Sequence, residues 1–109
     1  MATFFKNKIV KEIGTIPVVA LTPPPNTNST IVGLSLSNLT EYAVKASVII
    51  KDDTSVEGFY MKDVVIPANT SLRAVTAGEK LIISESYELL IKSDLVDSID
   101  AVVSYVDIV

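Results

Sequence analysis

The sequence predicts an all-β protein: an antiparallel β-sandwich of about eight short strands, immunoglobulin-like or jelly-roll-like in topology. Two observations carry this expectation. Apolar and polar side chains alternate with period two through most of the 109 residues, and helical spacing is almost absent. Turn residues interrupt the alternation at short, regular intervals, as in a sheet that folds back many times.

Residues 1–109 read as a single domain, in which 1–6 form an extended N-terminal arm carrying the adjacent Phe4 and Phe5. Two strands fit within the first 21 residues. Lys6 and Lys8 share one face of the first and Lys11 takes the other, as on a solvated strand edge. The run IGTIPVVAL that follows has the outline of a short signal peptide, but Gly14 and Pro17 interrupt it and no small-x-small cleavage site follows. TPPPNTNST (22–30) reads as a stiff surface loop, because consecutive prolines favour extended backbone without ladder bonds.

In STIVGLSLSNL the alternation puts Val32, Leu34 and Leu36 on one face and Ser35 and Ser37 on the other. Asn38-Leu39-Thr40-Glu41 then reads as a hairpin connection. EYAVKASVII is a half-buried strand with Tyr42, Val44, Ala46, Val48 and Ile50 on the inner side. KDDTSVEG (51–58) is a polar break, and FYMKDVVI resumes extended structure up to Pro67. Proline gives no N–H to a ladder, so Pro67-Ala68-Asn69-Thr70 turns the chain into TSLRAV, with Leu72 and Ala74 inward and Arg73 outward. Ala77-Gly78 turns it again, and KLII, YELLIKS and IDAVVSYVDIV supply the remaining strands.

Composition closes off many functions. Apolar residues make up 49% and charged residues 20%, the balance of a folded globular chain. Neither cysteine nor histidine is present, which removes disulfides, thiolate nucleophiles, the usual neutral-pH base and the commonest transition-metal ligand. A net charge of −4 with scattered cations gives no nucleic-acid footprint, and no apolar run reaches the roughly 18 residues needed to span a bilayer. Serines lack a partner base and any G-x-S-x-G elbow.

Three constellations invite chemistry. Asp94, Asp97 and Asp100 recur every third residue, but neither the glycine nor the closing glutamate of a calcium loop accompanies them. Asp52, Asp53 and Glu57 pose the same question, and adjacent carboxylates on extended backbone point apart and do not face each other across a pocket. Sequons begin at Asn28, Asn38 and Asn69, each in a turn-like segment where Asn and Thr are expected for conformational reasons. The expectation is therefore a non-enzyme with no cofactor and no metal site.

The last strand carries more information. Ile99, Ala101, Val103 and Tyr105 form one apolar face, while Val102, Val106 and Ile108 nearly form another. A strand apolar on both sides is covered on both sides, and in so small a domain the second cover is either a folded-back segment or a neighbouring subunit. Phe4, Phe5, Val102, Val106 and Ile108 are accordingly the candidate interface residues.

The succession STIVGLSLSNLTEYAVKASVII, YMKDVVIPANTSLRAV, EKLIISESYELLI and SIDAVVSYVDI, over residues 30–108, resembles small β-sandwich virion structural proteins of tailed bacteriophages. It does so by pattern, with no invariant motif. The corner glycine of that group is Asn69 here and the acidic residue near the end is Asp107. The resemblance implies a decorating, neck or tail-associated part of a virion, made in the bacterial host cytoplasm, a homo-oligomer or a subunit against other virion proteins. It supplies no catalytic residue. Rival expectations are a carbohydrate-binding or adhesion module, for which Tyr42, Tyr60, Tyr87 and Tyr105 are the available tyrosines, and a calcium-dependent module or glycan hydrolase on the acidic loops.

Overall fold

The computed structural model describes residues 2–76 and 78–109. Met1 of the expected arm and Ala77 of the expected Ala77-Gly78 turn lie outside the described residues. Nine strands are present among the described residues: β1 (Thr3–Ile13), β2 (Val18–Leu21), β3 (Asn28–Asn38), β4 (Val44–Lys51), β5 (Glu57–Ile66), β6 (Ser71–Val75), β7 (Leu81–Ile83), β8 (Glu88–Ser93) and β9 (Ile99–Ile108).

They form two antiparallel sheets. Sheet A runs β1-β9-β3-β6, with β7 pairing the other half of β3, and sheet B runs β2-β8-β4-β5. The pairs nest: β1 with β9, β2 with β8, β3 with β6 and β7, β4 with β5. First with last, second with next-to-last, rolled into two facing sheets, is the order of a jelly roll. That settles the choice left open between immunoglobulin-like and jelly-roll-like topologies.

The core is the pair of inner faces. Ile31, Leu34, Leu36, Ile99, Ala101 and Val103 of sheet A meet Val44, Val48, Ile66, Leu89 and Ile91 of sheet B, all buried. Alternation sends these residues inward and their neighbours outward. Val32 departs from the expected face, because a bulge between Ile31 and Gly33 shifts the register against β9. Ile31 takes the inward place, and Val32 turns to the outer surface, where it lines a groove.

Two further expectations are corrected. Asn38–Glu41 is not a hairpin, because β3 lies in sheet A and β4 in sheet B. Tyr42 is not a strand residue; it is exposed in the bend between the sheets, and β4 begins at Val44. What makes that corner is the side chain of Asn38, only 4% exposed. Its Nδ2 donates to the carbonyls of Tyr42 (2.7 Å), Ile66 (3.0 Å) and Pro67 (3.2 Å), and its Oδ1 accepts from the N–H (2.9 Å) and Oγ1 (2.8 Å) of Thr40. The Pro67–Thr70 corner therefore hangs on the same amide. Asn69 adopts the left-handed φ of 53° that the turn requires, and its N–H donates to Thr40 O at 3.0 Å.

The expected arm over residues 1–6 is, from Thr3, the start of edge strand β1, registered against Ile108 to Tyr105 of β9. Its side chains bury little, so no apolar-in, polar-out alternation marks it; the backbone ladder orders it instead.

Candidate functional site: the outer face of sheet A

The odd-numbered residues of β1 from Thr3 to Ile9 and the even-numbered residues of β9 share the outer face of sheet A. Phe5 lies opposite Val106, Ile9 opposite Val102, and Thr3 opposite Ile108. Across the sheet, Thr30 joins Val106 to Ile82 of β7. The result is an apolar band from Ile82 through Val106 to Phe5, flanked by Val32, Ile108, Ile9 and Val102. Phe5 is 83% exposed, Ile9 65%, Ile82 64% and Val102 40%. A shallow groove lined by Thr30, Val32, Lys80, Ile82, Val106 and Ile108 runs through the band. Gly33 opposes Ser104 beside it, so the sheet surface there is low, and Arg73 stands on the far side of that depression.

Four of the five expected interface residues, Phe5, Val102, Val106 and Ile108, are thus brought onto one face. Phe4 is not among them. It registers with Asp107 on the other side of β1, and Lys6 Nζ sits 5.8 Å from its ring centroid. Ile9 and Ile82 belong to the face although the sequence reading did not single them out. The period-two spacing Phe5, Asn7, Ile9 was available as a signal; the pairing of β7 with the N-terminal half of β3 was not.

Beneath this face, Asp107 is buried and ties β1 to the sandwich. Its Oδ2 takes Lys6 Nζ at 3.1 Å, and its Oδ1 accepts from the hydroxyl of buried Ser29. A buried carboxylate without such partners costs several kcal/mol, so the trio is a fold element.

The acidic loops are likewise engaged with backbone. Asp94 Oδ1 accepts from Lys45 N–H and Asp100 Oδ1 from Glu12 N–H, each at 2.9 Å, on separate strands, while Asp97 holds a left-handed φ of 50°. Asp52 closes the β4–β5 hairpin by accepting from Thr54 N–H (2.8 Å), Thr54 Oγ1 (2.7 Å) and Val56 N–H (3.0 Å). The Thr54 hydroxyl first, then the Val56 amide, hold its carboxyl below the ordinary aspartate range. Among the described residues, no group of three or more acidic side chains converges to hold a metal ion.

The tyrosines are dispersed. Tyr42 lies on the β3–β4 corner, and Tyr105 packs against the core. Tyr60 and Tyr87 line a depression near the β4–β5 hairpin, where Tyr60 donates to Glu79 Oε2 at 3.0 Å. Burial, and then Glu79, raise the Tyr60 phenol above its ordinary value. Of the sequon asparagines, Asn38 is consumed in the corner described above, and Asn28 Oδ1 accepts from Glu85 N–H at 3.2 Å.

No protein-family model, curated protein or solved structure matches this chain. The class defined by its geometry is a jelly-roll β-sandwich with an uncovered apolar sheet face.

Proposed function

We propose that this chain is a non-enzymatic structural component of a bacteriophage particle, positioned in the virion by burying the outer face of sheet A and its N-terminal strand against copies of itself or a larger capsid, neck or tail protein. The observation that supports this most is the apolar band Ile82–Val106–Phe5 with Ile9 and Val102 beside it. A monomer rarely leaves large contiguous apolar surface in water, and such surface marks a site of association. A contact of about 800 Å² of apolar area would contribute on the order of 20 kcal/mol before the costs of association, enough to hold a subunit in a repeating array. Resemblance over residues 30–108 to small phage virion proteins supplies the setting.

The test is mass spectrometry of gradient-purified particles produced from the genome that encodes the chain. The expected result is its recovery in multiple copies per particle, and its loss when Val106 is replaced by Glu. Recovery only in the unassembled host fraction overturns the reading.

A further inference from the structure

Four edges bound the two sheets: β1 and the β6/β7 line in sheet A, β2 and β5 in sheet B. Three are blunted in ways that keep sheet edges from pairing with other chains. Strand β2 has only 4 residues. The β6/β7 line is broken into pieces of 5 and 3 residues. Strand β5 shifts register twice against β4 and carries Asp63 at a φ of 49°. Edge β1 carries Lys6, Lys8 and Lys11 and a register shift after Val10, yet it is the longest edge held in one register, against β9 from Thr3 to Val10.

The phase of that ladder is fixed by Ala2 and Val109, which donate to each other's carbonyls at 3.3 and 3.0 Å. Hydrogen-bonded pairs recur every second residue, so Phe4, Lys6, Lys8 and Val10 turn their N–H and C=O groups toward β9. Thr3, Phe5, Asn7 and Ile9 turn theirs away from the sheet, and among the described residues no strand pairs with them.

We propose that this edge seats a second copy of the chain, the two β1 strands pairing antiparallel about a twofold axis at Asn7 so that both A sheets become one continuous sheet. A twofold keeps the two outer faces on the same side, so only odd residues oppose odd ones. About Asn7, Phe5 then faces Ile9 of the second copy and Ile9 faces its Phe5, giving two apolar cross-strand pairs that prolong the band from Val106 and Val102. A slip of one residue in either strand's centre sets Phe5 against Asn7 or Lys11 instead. About six backbone hydrogen bonds form from residues 5, 7 and 9 of both copies. On the opposite face Lys6 meets Lys8, a repulsion reduced because Lys6 is paired with Asp107. This inference rests on the assembly reading above and deepens it by naming one partner and one edge.

Sedimentation equilibrium of the full chain tests it with two substitutions. Asn7→Pro deletes an outward N–H and no bond to β9, so the dimer dissociation constant is expected to rise about a hundredfold with far-UV circular dichroism unchanged. Lys8→Glu turns two like-charge pairs into opposite ones and is expected to tighten the dimer about tenfold. A third variant covers the case in which Asn7→Pro fails to fold. The chain has no cysteine, and Cα atoms in such a pair lie about 5.5 Å apart, within disulfide range, so Asn7→Cys is expected to cross-link on oxidation while Ser37→Cys is not. A folded Asn7→Pro that dimerises as the wild type does, or an Asn7→Cys that stays uncross-linked, overturns the inference. A monomeric wild type that still loads onto particles overturns it alone; one that neither dimerises nor loads sinks the assembly reading as well.

Discussion

Replacing Asn38 by Ala removes one side chain from the place where the β3–β4 and β5–β6 corners meet. The amide's two N–H groups serve three carbonyls, those of Tyr42, Ile66 and Pro67, so one N–H is shared between two of them, and its oxygen takes two donors from Thr40. About four hydrogen bonds at about 1 kcal/mol each, with carbonyls orphaned in a buried site, give an expected loss of about 3–5 kcal/mol. For a domain near 100 residues that lowers Tm by roughly 15–30 °C. Urea and thermal melts followed by far-UV circular dichroism measure it, with Ser37→Ala, whose exposed hydroxyl meets Ser71 Oγ at 2.8 Å, as a neighbour expected to change stability by less than about 0.5 kcal/mol. Asn38→Asp sharpens the test. It sets a carboxylate against three carbonyls, which raises its folded-state pKa, so the variant's deficit relative to wild type is expected to grow as pH rises from 4 to 7. A loss below about 1 kcal/mol for Asn38→Ala, or an Asp variant with no such pH dependence, refutes the view that this amide holds the two corners together.

Three further outcomes follow from the same geometry. Asp107→Ala strands Lys6 and buried Ser29 and is expected to cost about 2–3 kcal/mol, with faster hydrogen exchange of the β1 amides than of β4. Ile91→Ala opens a cavity in the middle of β8 and is expected to lower stability by about 3–4 kcal/mol, read as a lower urea midpoint at unchanged slope. Asp52 is expected to titrate below 3.8 by carboxyl NMR; its folded pKa is depressed, so its contribution is complete above the unfolded value and is lost as pH falls through the folded one. Asp52→Asn should remove that part of the acid limb of the stability curve.

Much of the sandwich was legible because local alternation reports which way a side chain faces. The two-sided character of β9 is visible in residues 99–108 themselves, and Pro67 and Asn69 mark their corner by backbone chemistry. What stayed hidden depends on pairings distant in sequence. A jelly roll differs from an immunoglobulin-like sandwich by which strands adjoin, and the first and last strands, β1 and β9, carry no local mark of their meeting. The same limit explains Asn38: a turn residue between two apolar runs reads as a hairpin, and nothing within 38–41 reveals that its amide reaches Ile66 and Pro67. Val32 was placed on the wrong face by the bulge after Ile31, which period-two reasoning does not register. Residues 1–6 read as an arm because the order of β1 there comes from hydrogen bonds at a sheet edge and from the part-buried Lys6–Asp107 ion pair, not from burying side chains.

The account stands on the outer face of sheet A being covered by another protein subunit. Its most direct measurement is sedimentation equilibrium of the purified chain from micromolar to high micromolar concentration, beside Val106→Glu, which puts a charge in the middle of the apolar band. Concentration-dependent association of the wild type beyond the β1-paired dimer, abolished by Val106→Glu with the dimer retained and the fold intact by circular dichroism, is the expected result. Association beyond the dimer that persists unchanged in Val106→Glu, or a wild type that stays strictly monomeric and fails to load onto particles, contradicts the account.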